Sequence, residues 1–258
     1  MDKKMLELWY AYPDDLLKDG VAEGCAALLS DDERVRAGAF RFERDRREFL
    51  ATRALVRTAL SSHRATPPEG WRFSHSEFGK PSADPDCGLH FNLGNSHTLV
   101  VCLISDVSAV GVDVEPLGHM EQIAELAPSV FSSLELAQLD ALQGGEKLSR
   151  GLSLWTLKES YIKARGMGLS MPLKRFSFLF GEDCGIRLEL DPGMDDHAER
   201  WRFCLLDHAG HRIALMVDQV AGSDLQIWDL RHLAASPARL SSEEPEWFPR
   251  TAQCALEC

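Results

Sequence analysis

Two short segments carry residue types that could do chemistry together. Residues 111–115 read Gly-Val-Asp-Val-Glu, and residues 155–168 read Trp-Thr-Leu-Lys-Glu-Ser-Tyr-Ile-Lys-Ala-Arg-Gly-Met-Gly. In the first, strand alternation turns Val112 and Val114 one way and Asp113 and Glu115 the other, roughly 7 Å apart along the backbone. In the second, Leu148, Leu152, Trp155, Glu159 and Ile162 follow the three-and-four spacing of one helix face. Glu159 thus falls on an apolar stripe, where an unpaired carboxylate is costly. A third carboxylate beside two others calls for a cation. Three hard oxygen donors without nearby His or Cys suit Mg²⁺ better than Zn²⁺. Lys158 and Lys163 flank the acid and are placed to hold phosphate. Either segment alone has an ordinary explanation, as a solvated strand face or as surface ion pairs on a helix. Their weight comes from occurring together, and with the segments below.

Those segments sit in a chain of 258 residues, enough for one large domain or two small ones. An apolar content of 45% allows a sizeable core. The net charge of −12 argues against a nucleic-acid partner. Residues 34–57 run against that balance, with eight arginines and three acids (Glu43, Asp45 and Glu48), so this helix is a solvated face or an anion site. The seven cysteines show no CxxC and no metal-ligand spacing, and Cys102 lies in an apolar strand-like run, which predicts reduced thiols in a cytoplasmic protein. The N-terminus lacks a signal-peptide pattern, and no apolar run approaches a membrane span. The nine histidines are scattered and read as surface or hydrogen-bonding residues.

Local patterns place these residues on elements. Residues 5–11 read as a strand. Ser30-Asp31-Asp32-Glu33 opens a helix, and a long helix follows over 42–60. Residues 66–70 are a loop, 78–81 a turn, and the stretch to Gly88 remains loop. Strands are predicted over 89–93 and 98–105, joined by a polar turn at 94–97, then over 109–115. Helices are predicted over 119–127, 132–142 and 146–165. Ser132 and Glu135 stand in capping-box spacing, and Gly166 and Gly168 end the last helix. Strands follow over 176–180, 186–190, 201–206, 213–217 and 225–230. The order predicts an α+β fold with antiparallel sheet, split near 106–110 into halves over 1–108 and 109–232. Residues 233–258 read as a mobile or loosely packed tail, with Trp247 and Phe248 as anchors.

Over about residues 30–180 the chain resembles a 4′-phosphopantetheinyl transferase of the surfactin-synthetase-activating type. The carriers are Phe-Arg-Phe-Glu-Arg-Asp-Arg-Arg (40–47), Thr-Arg-Ala-Leu-Val-Arg (52–57), Gly-Lys-Pro (79–81), Phe-Asn-Leu-Gly-Asn-Ser (91–96), Gly-Val-Asp-Val-Glu (111–115), Phe-Ser-x-x-Glu (131–135) and Trp-x-x-Lys-Glu-x-x-x-Lys-x-x-Gly-x-Gly-Leu (155–169). Each is weak alone; seven in order are specific. The resemblance implies that coenzyme A gives its phosphopantetheine arm to a serine of an apo acyl or peptidyl carrier protein, leaving adenosine 3′,5′-bisphosphate. It also implies two pseudo-symmetric α+β halves, each a small antiparallel sheet packed with helices, in one monomer with no membrane partner.

By the same resemblance Asp113, Glu115 and Glu159 bind Mg²⁺, with Mn²⁺ as a substitute, and Lys163 reaches a phosphate oxygen. Glu159, a metal-bound water and Glu135 remain open as acceptors of the serine proton, although Glu135 is also explained by its capping box. Arg36, Lys80, and Asn92 and Asn95 in the 92–95 turn are implied to hold the adenosine 3′-phosphate, with His75 near the adenine. The chain departs from the family there: the usual Asn-x-Ser-His is Asn92-Leu93-Gly94-Asn95, and Asn95 cannot become cationic. His97 reads as an exposed turn residue. Pro116, Leu117, Met120, Ile123, Leu126 and Val130 offer either a carrier-docking face or core packing. A non-catalytic coenzyme A- or carrier-binding module is the alternative, and a metal-dependent phosphodiesterase is a third reading that lacks a water-activating residue.

Overall fold

The apolar runs at 5–11 and 98–105 become strands covered along almost their whole length: all six residues of the second are buried. A strand covered on both faces needs no polar alternation. The computed structural model describes residues 5–15, 21–106, 109–181, 185–218, 229–232 and 254–255. Residues 225–228 of the last expected strand and most of the expected tail, including Trp247 and Phe248, lie outside the described residues. The chain divides into two units between Val110 and Gly111.

The first unit contains β1 (Leu6–Ala11), α1 (Val21–Ala27), α2 (Asp31–Gly38), α3 (Glu43–Ser61), β2 (Phe73–His75), β3 (Pro81–Ala83), β4 (His90–Asn95), β5 (Val100–Ser105) and β11 (Asp229–His232). Its main sheet has the order β11-β1-β5-β4. The β1–β5 and β4–β5 pairs are antiparallel, but β1 and β11 are parallel, so this sheet is mixed. The long helix α3 covers it. Ala51, Ala54, Leu55 and Ala59 meet Trp9, Val100, Cys102 and Ile104 in one buried cluster, and small residues on α3 let helix and sheet approach closely. At the start of α2, Ser30 and Glu33 form the reciprocal capping box. The stretch read as turn and loop from 78 to Gly88 includes β3, which pairs with β2 in a hairpin closed by Ser76–Gly79 with Gly79 at φ +82°.

The second unit contains β6 (Val110–Pro116), α4 (Met120–Val130), α5 (Ser133–Asp140), α6 (Gly144–Arg165), β7 (Phe176–Phe180), β8 (Ile186–Leu190), β9 (Trp201–His208), β10 (His211–Asp218) and β12 (Cys254–Ala255). Its larger sheet has the order β12-β9-β10-β6, and β7 and β8 form a separate hairpin. Leu157, Tyr161, Phe176, Phe178, Trp201, Ala214 and Met216 share its core. The glycine stop holds: Gly166 adopts φ +64° and donates to Ile162 O, ending α6 in the left-handed turn that glycine allows. Each unit is thus a four-stranded sheet with one long helix, the α+β class that the pattern predicts.

A buried ion pair ties α5, α6 and β7 together. Lys158 Nζ lies 2.9 Å from Glu135 Oε2, and both side chains are 0% exposed. The ammonium also donates to Leu173 O and Phe176 O, which uses all three of its protons. Glu135 accepts from the N–H groups of Ser132 and Phe178. Lys158 is therefore not available to phosphate, contrary to the expectation from its place beside Glu159. Removing one partner of such a pair leaves a buried unpaired charge. Lys158→Met should lower unfolding stability by about 3–5 kcal/mol, and Glu135→Gln on that background should recover much of it. Urea unfolding of the three proteins checks this; a single variant as stable as the parent would refute it.

Candidate active site

The site in the second unit begins with a glycine. A Cβ on Gly111 would lie 2.0 Å from Ser160 O, 2.5 Å from Ala164 N and 2.8 Å from Ala164 Cβ. Only glycine lets β6 run this close to α6. Two residues on, and therefore on the same strand face, Asp113 meets the helix side chains. Its Oδ1 accepts from Lys163 Nζ at 2.8 Å. Its Oδ2 is buried and has no hydrogen-bond partner among the described residues, and the residue is 6% exposed. Two residues further, Glu115 accepts from Trp155 Nε1 at 2.9 Å and from His119 Nδ1 at 3.1 Å, one donor to each oxygen.

Glu159 is half-buried on the same helix. Burial pushes its carboxyl up to about 7, the charge of Asp113 and then of Glu115 pushes the same way, and Lys163 opposes them. Three carboxylates thus feel one another across β6 and α6. Among the described residues no three His, Cys, Asp or Glu side chains converge as a ready-made metal cage. The donor set nevertheless fits a hard cation: it is oxygen-only, it holds an orphaned buried carboxylate oxygen on Asp113, and burial with the charges of Asp113 and Glu115 raises the Glu159 carboxyl.

The other acids and apolar residues fall differently. Glu135 is fully buried with both oxygens engaged, out of reach of a substrate proton. Ile123 and Val130 are core, and Leu117 and Met120 pack against it, so little of the suggested docking face is open beyond Leu126 at 45% exposure. Sequence reasoning did not assign Trp155 and His119 as partners of Glu115. Their signals were present: Trp155 lies one turn before Glu159, and His119 lies four residues after Glu115.

The remaining predicted residues lie in the first unit. Arg36 is exposed at the end of α2 with its guanidinium 5.2 Å from the Phe49 ring centroid. His75 is exposed and pairs in register with Pro81. Lys80 Nζ donates to Val110 O, and burial lowers its pKa to about 8. Asn92 is buried in β4. Asn95 Nδ2 donates to Glu48, and His97 Nδ1 pairs with the other oxygen of that carboxylate at 2.8 Å. The expected turn at 94–97 thus begins later, because β4 continues to Asn95, and the Asn95 amide is engaged within the chain.

A family model described as the 4′-phosphopantetheinyl transferase superfamily matches residues 109–216. The chain is 30% identical over 188 residues to a 4′-phosphopantetheinyl transferase of Bacillus subtilis, covering 73% of this chain and 83% of that protein. A phosphopantetheinyl transferase of Thraustochytrium sp. is 34% identical over 209 residues, covering 76% and 72%. Among solved structures, a holo-(acyl-carrier-protein) synthase of Bacillus anthracis, in complex with coenzyme A (3′,5′-ADP), matches with a TM-score of 0.37 and 15% identity over 43% of this chain and 94% of that one.

Two consequences of the geometry are measurable. Gly111→Ala should destabilise the protein by about 1–3 kcal/mol or more, since its methyl group meets helix backbone; unchanged urea unfolding would show that strand and helix are not in that contact. The second concerns pH. The Glu159 carboxyl rises from 4.5 to about 7 on folding. Its contribution to stability is fully present below pH 4.5 and is lost as pH rises through 7. In chelator, the protein should lose on the order of 1–3 kcal/mol more than Glu159→Gln between pH 5 and pH 8. Parallel stability–pH curves for the two proteins would contradict the assignment.

Proposed function

The chain belongs to the 4′-phosphopantetheinyl transferase superfamily, and we propose that Asp113, Glu159 and Lys163 carry its reaction. The enzyme transfers the 4′-phosphopantetheine arm of coenzyme A to a carrier protein. The acceptor in this reading is a serine hydroxyl of an apo acyl or peptidyl carrier protein. Its oxygen bonds to the pantetheine-bearing phosphorus, and the bond from that phosphorus to the bridging pyrophosphate oxygen breaks. Adenosine 3′,5′-bisphosphate leaves.

Charge is the obstacle, because the attacked group is already anionic and the leaving oxygen gains more. Asp113 and Glu159, with Glu115 beside them, would hold a hard divalent cation, Mg²⁺ with Mn²⁺ as a substitute, which neutralises pyrophosphate charge when bound. Lys163 adds a fixed ammonium beside Asp113, within reach of a phosphate oxygen. Trp155 and His119 restrain both oxygens of Glu115, so its orientation is set before substrate arrives. Glu159, beside Asp113 and Lys163, is the chain's own candidate to take the serine proton.

On the donor side, Arg36, His75 and Lys80 supply cationic or hydrogen-bonding groups for the adenosine end, with Asn92 supporting β4. We leave Asn95 out of that set: its amide is given to Glu48, whose negative charge would repel a phosphate. The buried thiols of Cys25, Cys102 and Cys204, which form no disulfide among the described residues, support a reducing, cytoplasmic setting. No helix among the described residues is long and apolar enough to cross a membrane. A monomer suffices in this reading, as both residue sets come from one chain.

The observation that carries the reading is the unpartnered Asp113 Oδ2 beside Glu159 and Lys163. An apo carrier protein incubated with the enzyme, coenzyme A and Mg²⁺ should gain the mass of one phosphopantetheine arm. Asp113→Ala should slow that gain by a factor of at least about 10². Near-normal turnover of Asp113→Ala at saturating Mg²⁺, or release of free phosphopantetheine without a gain on the carrier, would overturn it.

A further inference from the structure

The last turn of α6 is held from two sides. At about 100° per residue, side chains four apart share one face of a helix, and those two apart lie on opposite faces. Trp155, Glu159 and Lys163 thus form one stripe, and through Trp155 and Lys163 it bonds Glu115 and Asp113 on β6. Tyr161 and Arg165 lie on the opposite face.

Their shared partner there is Asp196, in the segment between β8 and β9, with its side chain 0% exposed. Asp196 Oδ2 accepts from Tyr161 Oη at 2.6 Å and from Trp201 Nε1 at 2.7 Å, and it pairs with Arg165 Nη1 at 2.6 Å. Oδ1 accepts from Arg200 Nη1 at 3.2 Å. Burial pushes this carboxyl up, but the Tyr161 and Trp201 donors, the His197 N–H and the charge of Arg165 outweigh it and hold the group below the usual carboxylate range. The segment around Asp196 is itself anchored. Asp191 N–H donates to Arg175 O at 2.8 Å, Arg175 Nη2 to Pro192 O at 2.9 Å, and Arg165 Nη2 to Asp195 O at 3.0 Å.

Two of the groups that Asp196 gathers, Tyr161 and Arg165, stand two residues before and two after Lys163. The last turn of a helix frays readily, because its carbonyl groups lack intrahelical donors. Lys163 lies on that turn, with its side chain 27% exposed, and α6 ends two residues later. A lysine stem is flexible, so its backbone must be fixed for the ammonium to stay in one place.

We propose that Asp196 is a positioning residue for Lys163: by gripping Tyr161 and Arg165 on one face of the last turn of α6, it holds the ammonium on the other face in place for a phosphate oxygen of coenzyme A. The proposal rests on Lys163 being a phosphate contact. Asp196 acts through that lysine and not on the substrate.

A double-mutant cycle on the full chain separates positioning from mere stability. Asp196→Ala should lower kcat/KM for coenzyme A by about tenfold or more. In a Lys163→Ala background the same change should cost less than about twofold, because the group through which it acts is gone. Asp196→Asn, which keeps an acceptor without the charge, should retain part of the rate. Amide hydrogen exchange at residues 162–166 should quicken by about tenfold in Asp196→Ala, while exchange in β9 and β10 changes less. Arg165→Gln gives the same comparisons should Asp196→Ala fail to fold. Equal losses of kcat/KM with and without Lys163 would overturn the proposal, and so would unchanged exchange at the end of α6. Transfer by the parent protein tests the wider reading separately. A parent that transfers, with equal losses in the two backgrounds, sinks the role of Asp196 and leaves the function. Absence of transfer at saturating coenzyme A and Mg²⁺ sinks the function, and with it the role of Asp196 toward substrate.

Discussion

The arrangement of the proposed site depends on one backbone contact, the approach of β6 to α6 at Gly111. Strand and helix run in opposite directions along their contact: Gly111 meets Ser160 and Ala164, Asp113 meets Lys163, and Glu115 meets Trp155. The spacing matches because four residues of strand and nine of helix each span about 13 Å. A strand face with a repeat of two and a helix face with a repeat near four can therefore meet at three successive places. Any side chain at position 111 would part the two elements and with them the charges.

Buried charge is treated in two ways. Lys158 and Glu135 are wholly enclosed and fully partnered. Asp196 is likewise enclosed, and it accepts from Tyr161, Trp201 and Arg165, tying the last turn of α6 to the segment before β9. These networks hold the frame. By contrast Asp113 keeps an unpartnered buried oxygen and Arg53 an unpartnered buried N–H. An unpaired polar atom in a folded interior is costly, and on Asp113 it is the feature on which the proposed cation site rests.

Much of the frame was legible from local pattern. The strands Phe176–Phe180 and Ile186–Leu190 fall on the predicted residues, the Ser132–Glu135 capping box forms, and Gly166 ends its helix. These features depend on residues within one turn or one hairpin of each other. The β2–β3 hairpin was hidden in a run rich in Gly, Pro and Ser, and the parallel return of β11 to β1 joins residues more than two hundred positions apart, which no local period reports.

Within the site, the sequence by itself determined which residue types are present and on which element: Asp113 and Glu115 on one strand face, Glu159 on a helix stripe, and an excess of arginine over residues 34–57. The tertiary structure decided which of them are spent. Lys158 and Lys163 stand five residues apart on one helix, yet one is sealed against Glu135 and the other faces Asp113. Of eight arginines, Arg57 is hydrogen-bonded to Glu33, while Arg53, four residues earlier, makes only a looser ion pair with it at 3.5 Å. Asn95, at the end of β4, is taken by Glu48 on α3. The reason is physical: a side chain's chemistry is encoded locally, but whether it is satisfied depends on partners brought close by packing, and distance along the chain says nothing about that.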